Sequence, residues 1–440
     1  MIGNIANLFR VPEIRRRLGI TLGFLLLYRV GWNIPIPGVD LSVVKELAGG
    51  ADEGNAFTAL FSVISGGGLY SCALFSLGIM PYISSSIIFS LLTKVVPSLE
   101  AITKEGAAGQ RKINQWTRLA TVPLAMLQAI ILVTNIYSKP ITDDGRALLP
   151  PGFMLAVTAI LTLTAGTIFL MWVGEQITEY GVGNGVSLLI MAGIIARVPE
   201  AIVRLVQTQE GGFLPFTLLV LFLVIVVVVV FITKGTRKIP VQYAKLTRGR
   251  KVYGGQRHFL PIKVNQAGVM PVIFASALLS FPQLVGSAAG WSWLSDAFLP
   301  SSWWYTTMTI ALIMFFSYFW NSLMFNPVEI SKNMKESGSF IPGIRPGRKT
   351  AEFLQKVMTR ITLAGASFLA LIAIIPQQAA TSISKEVPVQ VAYFLGGTSI
   401  LIVVSVALDL VDKLNSALLM RNQGGFMGTT AGGGSKKKGG

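Results

Sequence analysis

The side chains that could perform chemistry in this chain are few and lie far apart. The sequence has one histidine, His258, and one cysteine, Cys72. A metal centre or a histidine-based acid–base pair needs further ligands or partners nearby, and a lone cysteine forms no intrachain disulfide. The glycine-rich run Glu179–Gly185 resembles a phosphate loop only superficially, because no strand precedes it and no Lys-Ser/Thr follows it. The residue types therefore predict a protein that is not an enzyme and that holds no cofactor or metal.

Acidic residues at the ends of apolar segments are the remaining candidates for chemistry. They are Glu175, Glu179, Asp409 and Asp412. Ion-coupled transporters usually carry ionisable side chains inside the membrane, where proton relays and ion sites need them. Because the middle of most apolar segments here carries none, we interpret the four acids as caps and salt-bridge partners. A secondary transporter of a small solute is kept as the alternative function.

The composition that surrounds these residues is that of an integral membrane protein. Of the 440 residues, 52% are hydrophobic and 13% are charged, and the mean hydropathy is +0.62. The apolar residues form blocks of the length that a helix needs to cross a hydrocarbon core, about twenty residues. The sequence therefore predicts an all-α polytopic membrane protein with ten transmembrane helices. The predicted spans are 18–36, 70–92, 119–137, 152–173, 185–203, 214–233, 267–286, 305–325, 361–376 and 389–408.

Uncharged polar residues are scattered through these spans. Examples are Ser84–Ser86, Gln128, Ser276, Gln283 and Asn321–Ser322. Such side chains form hydrogen bonds between membrane helices and allow close packing. They also suit a weakly polar water path without fixed charge. The sequence leaves both interpretations open.

Lysine and arginine are concentrated in alternate loops. Of the 37 basic residues, 29 lie in the N-terminal segment, in the loops after spans two, six and eight, and in the C-terminal tail. The positive-inside rule therefore predicts that both termini, residues 1–17 and 409–440, are cytoplasmic. The tail is rich in glycine from about residue 424, which predicts disorder there.

The two most basic loops cover residues 234–263 and 326–356. They carry 15 of those 29 basic residues. The first has a hairpin-like pattern around Gly254-Gly255, and the second contains a Pro- and Gly-rich turn at Pro342–Gly347. Basic loops orient a chain and contact lipid, but rigid ones also suit an acidic protein partner or RNA. The sequence does not decide between these roles.

Residues Ala56–Ile64 fit neither a loop nor a span. They are apolar and compatible with a helix, but too short to cross a membrane, and Gly66–Gly68 separate them from span two. One interpretation is a re-entrant element, which is tolerated at membrane depth only inside protein or against a water-filled cavity. The other interpretation is an interfacial helix on the outer surface.

Several motifs resemble those of the bacterial SecY family. They occur in family order over nearly the whole chain, and polar loop motifs are among them, so similarity between apolar helices alone does not explain the match. The matching segments are Leu77–Ile88, Lys104–Arg118, Gly174–Ser187, Leu260–Ser276, Pro342–Gly347, Lys356–Arg360 and Gly396–Val404.

The resemblance implies a protein-conducting channel built from two pseudo-symmetric five-helix halves, residues 18–203 and 214–408. The pore between the halves would be closed by a ring of aliphatic side chains and by a short plug helix. A lateral gate to lipid would lie between spans two and three on one side and spans seven and eight on the other. The matching ring positions are Ile79, Ile83, Ile190, Ile273 and Ile402; the plug positions are Ala56, Phe57, Leu60, Phe61 and Ile64; and the gate positions are Ser84, Gln128 and Phe281.

The same resemblance implies partners. The two basic loops would dock the ribosome and the SecA motor ATPase, through Arg248, Arg250, Lys251 and Arg345. Small SecE-type and SecG-type membrane subunits, preprotein signal peptides and membrane lipid complete the expected set. The implied function is movement of unfolded preproteins across the cytoplasmic membrane, with lateral release of hydrophobic segments into lipid.

Overall fold

A computed structural model of the chain describes most of its residues. The described residues are 12–40, 42–43, 72–138, 147–196, 198–199, 214–243, 246–248, 251–253, 257–289, 291–298, 302–383 and 397–430. The predicted plug, residues 56–64, and the Gly66–Gly68 break lie outside them.

The described residues of the first half include six helices. They are α1 (Pro12–Gly31), α2 (Met80–Val95), α3 (Pro97–Lys104), α4 (Ala107–Leu132, continued by a π-helical turn at Val133–Tyr137), α5 (Phe153–Tyr180) and α6 (Gly185–Ile195). The predicted spans one to five overlap α1, α2, α4, α5 and α6. Helix α3 is an extra element, bent by 97° from α2.

The described residues of the second half include seven helices. They are α7 (Leu214–Lys234), α8 (Met270–Ala289), α9 (Ser292–Ala297), α10 (Trp303–Met324), α11 (Pro327–Glu336), α12 (Arg348–Ile383) and α13 (Gly397–Thr430). Spans six to ten overlap α7, α8, α10, α12 and α13. The backbone of α13 is helical to Thr430, beyond the predicted start of disorder near residue 424, because a helix already nucleated in its apolar part extends at little further cost.

Span two differs most from its prediction. The sequence predicts one helix over 70–92, but residues 72–79 form irregular turns and the helix begins only at Met80. Cys72 and Gly78 have positive φ angles of 44° and 57°, which a helix cannot accommodate. This irregular backbone is buried inside protein, with Phe75 and Leu77 at most 2% exposed, as non-helical backbone at membrane depth requires.

The length and composition of the helices support a membrane protein without fixing the number of spans. Among the described residues, Phe153–Tyr180, Trp303–Glu336 and Arg348–Pro376 are long and apolar enough to cross a membrane, and α2 with α3 counts as a fourth if the bent pair is one span. The count of ten therefore stays a prediction.

The two halves repeat one packing pattern. In the first half α1 packs on α5 and α6, α2 on α4, α4 on α5, and α5 on α6. The second half has the corresponding contacts: α7 packs on α12 and α13, α8 on α10, α10 on α12, and α12 on α13. The halves touch each other through the matched pairs α2–α8 and α6–α13. This is the arrangement of an internally repeated membrane fold.

Short sequence repeats begin the helices that meet between the halves. Gly78-Ile-Met-Pro81 precedes and opens α2, and Gly268-Val-Met-Pro271 does the same for α8; both glycines have positive φ, 57° and 63°. Proline is tolerated in the first helical turn because the amide hydrogens there have no intrahelical partner. Each motif therefore turns the chain sharply and starts a helix at a fixed point.

The two basic loops contribute the strands found among the described residues. Strand β1 (Thr236–Tyr243) pairs antiparallel with β4 (Arg257–Lys263) and, at its other edge, with β5 (Ser339–Phe340). The two basic loops therefore share one sheet, order β4-β1-β5. Ile239, Val241 and Ile262 bury against Leu354 and Met358 of α12, which fixes this sheet to the membrane domain.

The predicted hairpin is confirmed, but its tip is not at Gly254-Gly255. Strands β2 (Leu246–Arg248) and β3 (Lys251–Tyr253) pair with Arg248 opposite Lys251. This register makes residues 249 and 250 the connection between the two strands, whereas the sequence predicted the turn at Gly254-Gly255. The sequence contains two glycine candidates for one turn, and strand pairing decides between them. Residues 249–250 and 254–256 lie outside the described residues.

Gly185 allows the closest approach between α5 and α6. A Cβ atom there would lie 1.9 Å from the Gly174 carbonyl oxygen and 2.9 Å from Cβ of Ile177. We expect Gly185→Ala to destabilise the protein by about 3 kcal/mol, the upper range for overpacking, because backbone atoms cannot give way as a flexible side chain does. Thermal unfolding of the purified protein in lipid nanodiscs measures this. Gly19→Ala is the matched control, since α1 has open space at Gly19; an equal loss of stability in both variants would contradict the explanation.

Candidate functional site

The five isoleucines singled out by the sequence converge on one apolar cluster. Ile79, Ile83, Ile190, Ile273 and Ile402 come from four helices of both halves, and each is between 4% and 9% exposed. The cluster lies where α2 meets α8 and where α6 meets α13. Aliphatic side chains contain no hydrogen-bonding group, so a narrow passage lined by them excludes water and ions.

Local backbone features hold these side chains in place. Ile79 immediately precedes α2, and its carbonyl accepts a hydrogen bond of 3.1 Å from the Ile83 amide. Gly174 of α5 lies beside Ile79, since a Cβ added at this glycine would be 3.6 Å from Cδ1 of Ile79. The isoleucine therefore packs directly against the backbone of α5.

The isoleucines of α6 and α13 occupy equivalent positions. Each follows by five residues a glycine that begins its helix, in Gly185-Val-Ser-Leu-Leu-Ile190 and in Gly397-Thr-Ser-Ile-Leu-Ile402. Both glycines are pressed onto a carbonyl of the preceding long helix. A Cβ at Gly397 would lie 1.4 Å from the Ile372 carbonyl oxygen, as one at Gly185 would meet Gly174. The internal repeat thus delivers one isoleucine to the junction from each half.

The predicted gate residues Ser84 and Phe281 lie on α2 and α8, which meet between the halves, and Gln128 lies on α4, which packs on α2. Ser84 is 3% exposed, and its hydroxyl donates to the Met80 carbonyl at 3.0 Å. Gln128 is 5% exposed, and its Oε1 has no hydrogen-bond partner among the described residues. Phe281 lies on α8, but its side chain is outside the described part of the chain. Helices α2 and α8 contact each other on this side of the junction.

The described docking residues lie on the β2–β3 hairpin, which is a separate two-stranded sheet, and in the turn of the second basic loop. Arg248 and Lys251 form the last pair of strands β2 and β3, and Arg250 lies outside the described residues. Arg345 is exposed in a turn in which Gly343 and Gly347 have positive φ angles. Hydrogen bonds fix this turn: Thr350 donates to the Arg345 carbonyl at 2.9 Å and Ser331 to the Gly347 carbonyl at 2.6 Å.

Three of the four acids at the span ends form salt bridges, as the sequence predicts. Glu175 pairs with Arg118 at 2.6 Å, Asp409 with Lys413 at 3.0 Å, and Asp412 with Lys263 at 3.8 Å. The Lys263–Asp412 pair joins the end of strand β4 to helix α13. Glu179 is exposed at the end of α5.

Sequence reasoning missed the aromatic residues around the isoleucine cluster. Trp32, Phe274 and Phe316 are buried in it, at 7%, 4% and 1% exposure. Phe274 meets Phe316 and Trp320 edge to face, with centroids 5.6 and 5.3 Å apart. Periodicity could not reveal them, because aromatic residues on membrane helices face lipid and protein alike.

Comparisons with known proteins agree on one family. A family model described as SecY matches residues 73–411. The protein translocase subunit SecY of Escherichia coli strain K12 is 43% identical over 422 residues, which cover 93% of each chain. The subunit of the same name from Streptomyces galbus is 43% identical over 442 residues, 97% of this chain and 100% of the relative.

Solved structures of similar fold come from more distant proteins. A structure described as a protein conducting channel superimposes with a TM-score of 0.63 at 18% identity, covering 94% of this chain and 96% of the other. Sec61 in a canine ribosome-channel complex gives a TM-score of 0.58 at 17% identity over the same shares. At these identities the likeness shows the fold.

The fold and the apolar junction define a helical membrane protein of the protein-conducting channel type. Two related halves enclose a buried aliphatic cluster, and the relatives bear the names of translocase subunits. This chain belongs to the SecY family.

Proposed function

We propose that this chain is the channel subunit of a protein translocase. It moves unfolded preproteins across the cytoplasmic membrane and releases hydrophobic segments sideways into lipid. The observation that carries the proposal is the convergence of Ile79, Ile83, Ile190, Ile273 and Ile402 between the two halves. A ring of branched aliphatic side chains seals against ions and offers no specific bond to a passing chain, so diverse sequences slide through it.

The remaining channel parts follow from the same proposal. Residues 56–64 form the plug, and α2 and α4 face α8 and α10 across the lateral gate, near Ser84, Gln128 and Phe281. Both termini are cytoplasmic, as the distribution of basic residues supports. The secondary-transporter alternative gains no support from the family.

Partners supply the energy and complete the complex. The ribosome and a SecA-type ATPase dock on the shared sheet and the Arg345 turn, and SecE-type and SecG-type subunits bind the membrane domain. The shared sheet supports this arrangement because it presents both basic loops on one rigid body. Signal peptides enter at the gate, in contact with lipid.

A crosslinking experiment tests the pore directly. We expect a cysteine at Ile273 to crosslink to a preprotein arrested during transit in proteoliposomes, with at least about tenfold higher yield than a cysteine at Leu363. Leu363 is 50% exposed on α12 and serves as the control. Equal yields at the two positions, with the preprotein demonstrably arrested, would remove Ile273 from the pore.

A further inference from the structure

An ion pair ties a gate helix to the body of the first half. Nε of Arg118, on α4, lies 2.6 Å from Oε1 of Glu175, on α5. The Arg118 and Glu175 side chains are 49% and 23% exposed, so the pair is partly shielded from water. Tyr82, on α2 between two of the junction isoleucines, interacts electrostatically with both charges. A charge-assisted hydrogen bond of this length is stronger than a neutral one.

The helices on the two sides of this pair pack on each other, and each has a further close partner. Helices α2 and α4 are joined by the Ser85 hydroxyl, which donates to the Thr117 carbonyl at 2.7 Å, next to Arg118. Helix α5 is locked to α6 by the close contact of Gly185 with the Gly174 carbonyl, next to Glu175. The Arg118–Glu175 pair therefore adds a charged contact to the packing of gate helix α4 on α5.

Apolar packing also holds the gate. Helix α2 meets α8 through the isoleucine cluster, in which Phe274 is 4% exposed. Apolar packing is non-directional. An apolar segment that enters the gate can therefore replace the contacts that the two helices lose when they separate. An ion pair cannot be replaced by an apolar segment. It adds a fixed cost to opening that the entering segment must overcome.

We propose that the Arg118–Glu175 ion pair is a latch of the lateral gate that sets how apolar a signal segment must be to open it. This inference rests on the proposed function and deepens it. Arg118 and Glu175 are positioning residues, since they hold α4 against α5. Removing the ion pair shifts the equilibrium toward the open gate. This shift helps only signal segments that bind too weakly to open the gate fully by themselves.

The first test compares two signal segments in reconstituted translocation. For Arg118→Gln and Glu175→Gln we expect about tenfold faster translocation of a preprotein with a weakened signal, and an unchanged rate with the full signal. General damage to the fold would slow both. The charge-exchanged protein Arg118→Glu/Glu175→Arg should regain the stringency of the original. Unchanged discrimination in both single variants would overturn the latch.

Lys112→Gln is the matched control. Lys112 also lies on α4 and pairs with Glu105 at 3.3 Å, but Glu105 belongs to the adjoining turn and not to α5. Its removal should leave signal discrimination unchanged. An effect as large as that of Arg118→Gln would overturn the proposal, since loss of any basic residue of α4 would then suffice.

A second measurement needs no transport. Spin labels at cysteines replacing Thr93 on α2 and Leu278 on α8 report the gate width; the native Cys72 is fully buried. We expect Arg118→Gln to populate longer label distances and Lys112→Gln to leave them unchanged. If the label distances are the same in the original protein, in Arg118→Gln and in Lys112→Gln, the proposed latch is contradicted. If they shift while no protein translocates a preprotein, the proposed function fails and the latch stands.

Discussion

Replacing Ile83 and Ile402 together with serine is expected to raise ion leakage through the resting channel by about tenfold or more. Both side chains are buried in the junction, at 4% and 9% exposure, and they come from opposite halves. Serine shortens each side chain and adds a hydroxyl, so the constriction becomes wider and wettable, and a dewetted barrier is lost. Conductance of the complex in planar bilayers measures the change.

Ile313→Ser separates sealing from general packing damage. Ile313 of α10 is fully buried in the core of the second half, away from the junction isoleucines. The Ile313→Ser substitution should lower the free energy of unfolding by a few kcal/mol, as expected for a polar group introduced into a packed core. It should leave the resting channel impermeable to ions. Equal leakage from Ile313→Ser and from the double variant would contradict a seal formed by the junction.

Reversal of charge at Arg345 should reduce motor-driven translocation by about tenfold or more. The side chain is exposed, while the backbone of its turn is held by hydrogen bonds from Thr350 and Ser331. The substitution therefore leaves folding intact and replaces attraction to an acidic partner by repulsion. Loss of a charged contact of this kind costs about 2 kcal/mol or more when the pair is buried in the complex.

The assay is ATP-driven translocation, with membrane insertion and thermal stability measured alongside. Lys104→Glu makes the same reversal on α3, away from the shared sheet, where Lys104 is 73% exposed. It should translocate at the original rate. If Arg345→Glu translocates equally well, Arg345 does not belong to the docking surface; if Lys104→Glu fails equally, the effect is one of net charge.

The sequence predicted the helices better than their ends. Apolar blocks of spanning length located a helix at each of the ten predicted positions, because the bilayer imposes length and hydrophobicity on any crossing segment. The start of α2 was misplaced, since Cys72 and Gly78 adopt positive φ angles that hydropathy does not register. The polar first part of α12, from Arg348, was missed because a search for apolar blocks does not detect polar helical residues.

The junction isoleucines were located by motif resemblance and not by their chemistry. Isoleucine is common in every span, and periodicity alone does not separate Ile83 from Ile313. The repeats that open α2 with α8, and α6 with α13, were present in the sequence as Gly78/Gly268 and Gly185/Gly397. Their equivalence becomes evident only when the packing shows them in corresponding positions of the two halves.

The sequence alone determined the scarcity of catalytic and metal-binding side chains, the membrane setting and the concentration of basic residues in alternate predicted loops. These features depend on residue type and on the solvent that each segment requires. Tertiary structure decided which residues meet. It brought isoleucines from both halves into one cluster, joined two basic loops in one sheet, and paired Arg118 with Glu175. These are contacts between residues distant in the chain, and their partners are chosen by packing and register, which no single segment contains.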